Sequence, residues 1–176
     1  MKNKNRIWLF IAIIAIISFA AVSCDDGSGN GNGGSGTVKE LTSPGLYKAA
    51  GEGKYTRISE VAANDVAAVF TRLAAANPSG GTYDGKYTLV IDQNVTLTAR
   101  APSMNRVNRE LNIIGLGQER IITAPSGGAF YVGVSASSGA ISLTLGENIT
   151  IKGVDGMTAH LIGALFAGST TSVSKP

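Results

Sequence analysis

Cysteine, histidine and acidic side chains are scarce in this chain of 176 residues. A single cysteine excludes a structural disulfide within the chain, and a single histidine leaves little material for acid–base catalysis by imidazole. Three of the fifteen basic residues lie in the first six positions, so the rest of the chain balances twelve basic residues against twelve acidic ones. The basic character therefore belongs to the N-terminus, and nucleic acid is not an expected partner.

The N-terminal segment, residues 1–23, predicts membrane targeting. Its basic start precedes an uncharged apolar run at residues 7–22, which is short for a membrane span of roughly 20 apolar residues. Small residues then lead to Cys24, and this junction resembles the bacterial lipoprotein signal, although Ala21 stands where leucine is most usual. The resemblance implies cleavage before Cys24 and its acylation, hence a membrane partner and a cell-envelope location. An ordinary signal peptide cleaved near Ala21, or an uncleaved anchor, is the alternative.

The next segment, residues 24–38, predicts a flexible linker. After Cys24 it reads DDGSGNGNGGSGT, a sequence without an apolar side chain large enough to bury. Such a coil reaches roughly 20 Å and would hold the folded part away from the lipid surface.

The segment at residues 39–86 contains one amphipathic helix. Between residues 64 and 76, Val66, Val69, Phe70 and Leu73 recur at three and four positions, which is the period of a helix that buries one face. Asn64 or Asp65 is positioned to cap its N-terminus, and a Pro/Gly-rich stretch ends it.

From residue 87 to residue 176 the pattern becomes that of short strands separated by turns. Eight runs are rich in Val, Ile, Leu and Thr and are bounded by turn residues: 87–91, 94–99, 111–115, 120–124, 129–133, 140–146, 148–153 and 161–168. Asn94, Asn112 and Asn148 open similar runs at spacings of 18 and 36 residues. A period near 20 residues is typical of a solenoid, in which each turn buries its apolar face against the next.

At LNIIGLGQERIITAP (111–125) and LTLGENITIKGV (143–154) the chain resembles right-handed parallel β-helix proteins of the pectate-lyase-like type. The resemblance covers roughly residues 64–168. Together with the lipoprotein signal and the Gly/Ser linker it is similar to surface lipoproteins of spirochaete type. A β-sandwich built from the same strands is the alternative fold.

The resemblance also implies positions for particular residues. The helix at 64–76 would cover the N-terminal turn of the solenoid. The inward aliphatic positions would be Val95, Leu97, Ile113, Ile149 and Ile151. The asparagines at the corners would be Asn94, Asn112 and Asn148.

Residues that could perform chemistry are few in the β-rich part. The acids after residue 86 are scattered and do not repeat at a stacking interval: Asp92, Glu110, Glu119, Glu147 and Asp155. No catalytic residue, metal ligand or cofactor is therefore predicted. Arg100, Arg106 and Arg109 are the candidate contacts for an anionic glycan, and a solvated loop is the plainer interpretation of the same residues.

Two functional hypotheses follow from these observations. The first is a non-enzymatic surface lipoprotein, structural, adhesive or glycan-contacting. The second is the N-terminal part of a carbohydrate-active β-helix enzyme, a lyase or hydrolase. The pattern ends at residue 176 without a recognisable cap, which solenoids normally have, so we expect that the chain is truncated from a longer protein.

Overall fold

The computed structural model describes residues 37–38, 40–133, 140–164 and 170–174. This part of the chain is mainly β, with a single helix, α1, at Val66–Ala74. The strands are β1 (Thr37–Val38), β2 (Gly45–Gly51), β3 (Lys54–Ile58), β4 (Gly85–Ile91), β5 (Val95–Thr96), β6 (Arg109–Gly115), β7 (Arg120–Thr123), β8 (Phe130–Val132), β9 (Ala140–Leu145), β10 (Ile149–Lys152), β11 (Ile162–Ala164) and β12 (Thr170–Ser174).

The strands form three sheets. Sheet 1 has the order β1-β3-β2-β4-β6-β9-β12, sheet 2 the order β10-β7-β5, and sheet 3 pairs β11 with β8. The pairs that involve β1, β2 and β3 are antiparallel. All described pairs among the strands from β4 onward are parallel, whereas the β-sandwich alternative predicts antiparallel neighbours.

From β4 onward the chain visits the three sheets in a repeated order. Each passage goes from sheet 1 to sheet 2 and then to sheet 3, after which the chain returns to sheet 1. In the first passage the chain contributes no strand to sheet 3, and Met104 instead forms an isolated bridge with Val132. Parallel neighbours are joined by crossovers rather than hairpins, which explains why no two strands consecutive in sequence pair in this region.

The stacking interval differs from the predicted period near 20 residues. Gly85 aligns with Arg109, 24 positions later, and Arg109 aligns with Ile141, 32 positions later. The predicted corner asparagines are not equivalent either. Asn94 and Asn148 directly precede strands of sheet 2, but Asn112 lies inside β6 of sheet 1, so its place in the predicted corner ladder was wrong.

The predicted inward residues are largely confirmed. Leu97, Ile113 and Ile149 are buried, while Val95 and Ile151 are partly buried and pack against the core. Ile113 aligns with Leu89 and Leu145 in sheet 1. In sheet 2, a second ladder joins Val95, Ile122 and Ile151.

Helix α1 is confirmed within the predicted interval, and its apolar face is the predicted one. Val66, Val69, Phe70 and Leu73 are buried in the common core. The ring of Phe70 stacks on that of Phe130 of β8, with centroids 4.5 Å apart and planes within 4°. Asp65 is the N-cap, because its side chain accepts a hydrogen bond from the Ala68 N–H at 2.9 Å.

The N-terminal antiparallel strands were not predicted. Thr37–Val38, assigned to the linker, form β1 and pair with Thr56 and Tyr55 of β3. The predicted signal segment 1–23, the lipidation residue Cys24 and most of the linker lie outside the described residues.

Candidate functional site

The structure gives the three predicted glycan-contacting arginines different environments. The Arg109 side chain is 1 % exposed, and it faces inward from β6. Its guanidinium donates to the carbonyl oxygens of Leu73 and Ala75 and to Asn77 Oδ1. Arg109 therefore caps the C-terminal end of helix α1 and presents no surface to a glycan.

A carboxylate balances the buried Arg109 cation. Arg109 Nε lies 3.7 Å from Asp84 Oδ1, and the ring of Tyr83 lies 5.6 Å from the guanidinium carbon. Burial lowers the pKa of Arg109 below its ordinary value, and the Asp84 carboxylate opposes this shift. The arrangement is that of a structural clamp between β6 and the helix.

The other two arginines are exposed but bind to different parts of the surface. Arg106 Nε donates to the Ala74 carbonyl oxygen at 3.3 Å, beside the end of helix α1. The guanidinium carbon of Arg100 lies 4.4 Å from the ring centroid of Tyr131, on β8 of sheet 3. Arg106 and Arg109 thus both lie at the end of helix α1, the first exposed and the second buried, whereas Arg100 lies against an aromatic ring.

A better candidate site lies on the outer face of sheet 1, where polar residues of β4, β6 and β9 align in register. One row joins Lys86, Glu110 and Ser142. The parallel row joins Thr88, Asn112 and Thr144. These positions alternate with the buried core positions of the same strands, so the strand period of two directs them outward.

Two depressions share this face and form one groove, here named the sheet 1 groove. The first has a volume of about 220 Å³, and Tyr55 of β3 lines it together with both polar rows. The second, of about 320 Å³, lies over the ends of β6 and β9 and includes Gly146 and Glu147. The first depression crosses the strands from β3 to β9, and Asn112 and Thr144 line both depressions, so the second continues the groove along β6 and β9.

The charges of the sheet 1 groove are largely compensated within it. Lys86 Nζ lies 3.2 Å from Glu110 Oε2, and these side chains are 72 % and 44 % exposed. Such an exposed ion pair contributes little to stability, but it neutralises the ammonium group on the groove floor.

Asn112 carries an unpaired polar atom at the centre of the groove. Its Oδ1 is buried and has no hydrogen-bond partner among the described residues. A methyl group added to Gly146 would lie 2.8 Å from this oxygen and 2.6 Å from Ile114 Cγ2. Gly146 does not have a positive φ, so a glycine is needed there for space rather than for backbone conformation.

The strand sequences carry a signal for this groove that lies in their polar alternation and not in clusters of acidic residues. Each of β4, β6 and β9 carries two polar residues two positions apart, as in KYT of GKYTLVI and ELN of RELNIIG. This alternation predicts a pair of outward polar residues on each strand, whereas the alignment of the pairs into rows depends on how the strands stack.

Neither a metal cluster nor a membrane-spanning helix is found in the described ranges. No three His, Cys, Asp or Glu side chains there group to hold a metal ion. Of that same part, no helix is long and apolar enough to cross a membrane. Comparisons with protein-family models, with curated proteins and with solved structures find no match to this chain.

Proposed function

We propose that this chain is a membrane-anchored bacterial lipoprotein of the cell envelope whose folded part is a non-enzymatic, glycan-contacting module. The anchor would be an acylated Cys24, supported by the basic start, the short apolar run and the small residues before the cysteine. Two or more acyl chains on that residue would give stable attachment, since each buried CH₂ contributes about 0.8 kcal/mol.

The proposed architecture of the folded part is a right-handed parallel β-helix. Support comes from the repeated passage through three sheets whose strands from β4 onward pair in parallel. The aliphatic ladders that stack within the core, such as Leu89, Ile113 and Leu145, support it as well. In this proposal helix α1 and the antiparallel strands β1–β3 cover the N-terminal end of the solenoid.

The observation that carries the glycan-contact proposal is the sheet 1 groove. A groove that crosses parallel strands offers a similar set of side chains at each step of about 4.8 Å. That step is comparable to the length of one pyranose unit, so hydroxyl and amide groups in register suit a linear glycan. Tyr55 at one end adds an aromatic surface beside the polar rows.

The groove is proposed to bind rather than to cleave. Glycoside hydrolysis uses two carboxyl groups about 5–9.5 Å apart on either side of one bond. Glu110 and Gly115 lie five positions apart in β6, which is roughly 16 Å of extended strand, and the Gly115 N–H donates to the carbonyl oxygen of Glu147 at 3.0 Å. The two glutamates are therefore held far apart on the groove. In addition, the Glu110 carboxylate is engaged by Lys86 at 3.2 Å.

The test is affinity electrophoresis of the purified protein in a panel of polysaccharides, with parallel assays of reducing and unsaturated ends. The expected result is retardation without product, and the control Lys152→Ala, on β10 of sheet 2, should be retarded like the wild type. Absence of retardation by every polysaccharide would refute glycan contact. If the wild type forms product and Glu110→Gln does not, the second hypothesis, a carbohydrate-active enzyme, would be favoured instead.

A further inference from the structure

The charge of the sheet 1 groove opposes an anionic ligand. Its charged lining residues are Lys86, Glu110 and Glu147, and the only lysine among them is paired with Glu110 at 3.2 Å. Among the described residues that line the groove, Glu147 is thus left as an uncompensated negative charge. A uronate or sulfate group entering the groove would meet like charge, which disfavours its binding.

The polar groups of the groove suit hydroxyl groups instead. Thr88, Asn112, Ser142 and Thr144 supply side chains that both donate and accept hydrogen bonds. A sugar hydroxyl does the same, so each can pair with such a side chain without bringing a charge into the groove.

Asn112 has an unmet requirement that such a ligand would satisfy. Its Oδ1 lacks a donor among the described residues and packs closely against Gly146, at the junction of the two depressions. The Asn112 residue is only partly buried and lines both depressions, so a glycan hydroxyl would reach its amide if the side chain rotated toward the groove. A hydroxyl group there would provide the donor that the described residues do not.

We infer that the sheet 1 groove selects an uncharged, hydroxyl-rich glycan, and that Asn112 is the specificity-determining residue. This inference rests on the proposed glycan-contact function and narrows its ligand class. It replaces the anionic glycan expected from Arg100, Arg106 and Arg109, because those side chains lie on other parts of the molecule or in its interior.

The experiment uses the full chain in a mild detergent and measures its binding to two sets of probes. The neutral set is dextran, mannan and a β-glucan, and the anionic set is polygalacturonate, alginate and heparin. We expect binding to at least one neutral probe, with an affinity that changes less than about twofold as salt rises from about 0.05 to 0.5 M. Asn112→Leu should weaken this binding about tenfold or more, as expected for one lost specific hydrogen bond.

Two further variants keep the test independent of folding. Gly146→Ala places a methyl group 2.8 Å from Asn112 Oδ1 and 2.6 Å from Ile114 Cγ2, so the amide must shift and glycan binding should also weaken. Lys152→Ala, on β10 of sheet 2, should not change binding. Circular dichroism establishes that each variant is folded. If Asn112→Leu and Gly146→Ala are both folded and both bind the neutral glycan like the wild type, the proposed role of Asn112 and of the groove is wrong.

The remaining outcomes separate this inference from the proposed function. Salt-sensitive binding to anionic probes alone, lost in Arg100→Ala or Arg106→Ala, would overturn the ligand class but leave glycan contact intact. Failure to bind any probe of either set would overturn both.

Discussion

Replacing Arg109 is predicted to destabilise the protein far more than replacing its neighbour Arg106. The Arg109 guanidinium satisfies the carbonyl oxygens of Leu73 and Ala75 at the end of helix α1, together with Asn77 Oδ1. Each hydrogen bond to a charged group contributes about 1.5–3 kcal/mol, and breaking a buried charged network by removing one partner costs about 3–5 kcal/mol in total. We therefore expect Arg109→Ala to lower the free energy of unfolding by about 3–5 kcal/mol.

Asp84 contributes a second part of the stability lost in Arg109→Ala, because its carboxylate is then left without a cation. That carboxylate lies 3.7 Å from Arg109 Nε and is about one-third exposed, so water solvates it partly when the cation is removed. Arg109→Lys keeps the charge but cannot reproduce the fork of donors, and it should recover less than half of the loss. A small domain has only about 5–15 kcal/mol of stability, so Arg109→Ala should come close to unfolding it.

The assay is urea denaturation followed by far-ultraviolet circular dichroism. Arg106→Ala is the matched control, because the exposed Arg106 side chain donates a long hydrogen bond of 3.3 Å to the Ala74 carbonyl oxygen, and its removal should cost less than about 0.5 kcal/mol. If Arg109→Ala unfolds within about 1 kcal/mol of the wild type, the clamp is not a stabilising element and the reasoning fails.

Three further predictions concern the core, alkaline stability and the anchor. Ile113→Asp, at a fully buried position of sheet 1, should lower the free energy of unfolding by more than about 3 kcal/mol or prevent folding. In the same denaturation assay Lys152→Ala, at an exposed position, should stay within about 0.5 kcal/mol of the wild type. Equal losses of stability in the two variants would contradict the strand register. Burial raises the pKa of Tyr87 above 10.0, so its contribution to stability is present below the unfolded pKa of about 10 and is lost as pH rises through the folded pKa. Unfolding free energies measured from about pH 8.5 to 11 should therefore fall more steeply in the wild type than in Tyr87→Phe, and parallel curves would count against this linkage. Cells fed an alkyne fatty acid should label the wild-type protein and not Cys24→Ala, and an unlabelled wild type would refute lipidation.

The strands were predictable because local alternation and turn residues are visible in the sequence. The run at 111–115 became β6 and the run at 148–153 became β10, with boundaries shifted by one or two residues. The helix was predictable for the same reason, since Val66, Val69, Phe70 and Leu73 mark one face.

The stacking of the strands was not predictable from the resemblance of short runs. Turns between sheets differ in length, so aligned residues lie 24 positions apart between β4 and β6 but 32 apart between β6 and β9. The prediction assumed a constant spacing between the runs that begin with asparagine, and it therefore placed Asn112 at a corner. In the structure Asn112 lies within a strand.

The surface position expected for Arg109 was wrong because charge was weighed without the strand period. Arg109, Leu111 and Ile113 occupy alternate positions of one strand, and this pattern directs the arginine to the same inward face as the two apolar residues. Applying that period to RELNIIG would have removed Arg109 from the surface and assigned Glu110 and Asn112 to it. The partners that satisfy Arg109 come from helix α1, more than thirty positions earlier, and no local pattern reveals them.

The most direct test of the glycan-contact groove is nuclear magnetic resonance mapping of amide shifts during titration with a neutral polysaccharide that the protein binds. The proposal predicts that the perturbed amides cluster on the outer rows of sheet 1, around Lys86, Thr88, Glu110, Asn112 and Thr144. Perturbations confined to the exposed arginines, Arg100 and Arg106, with the groove unchanged, would contradict it.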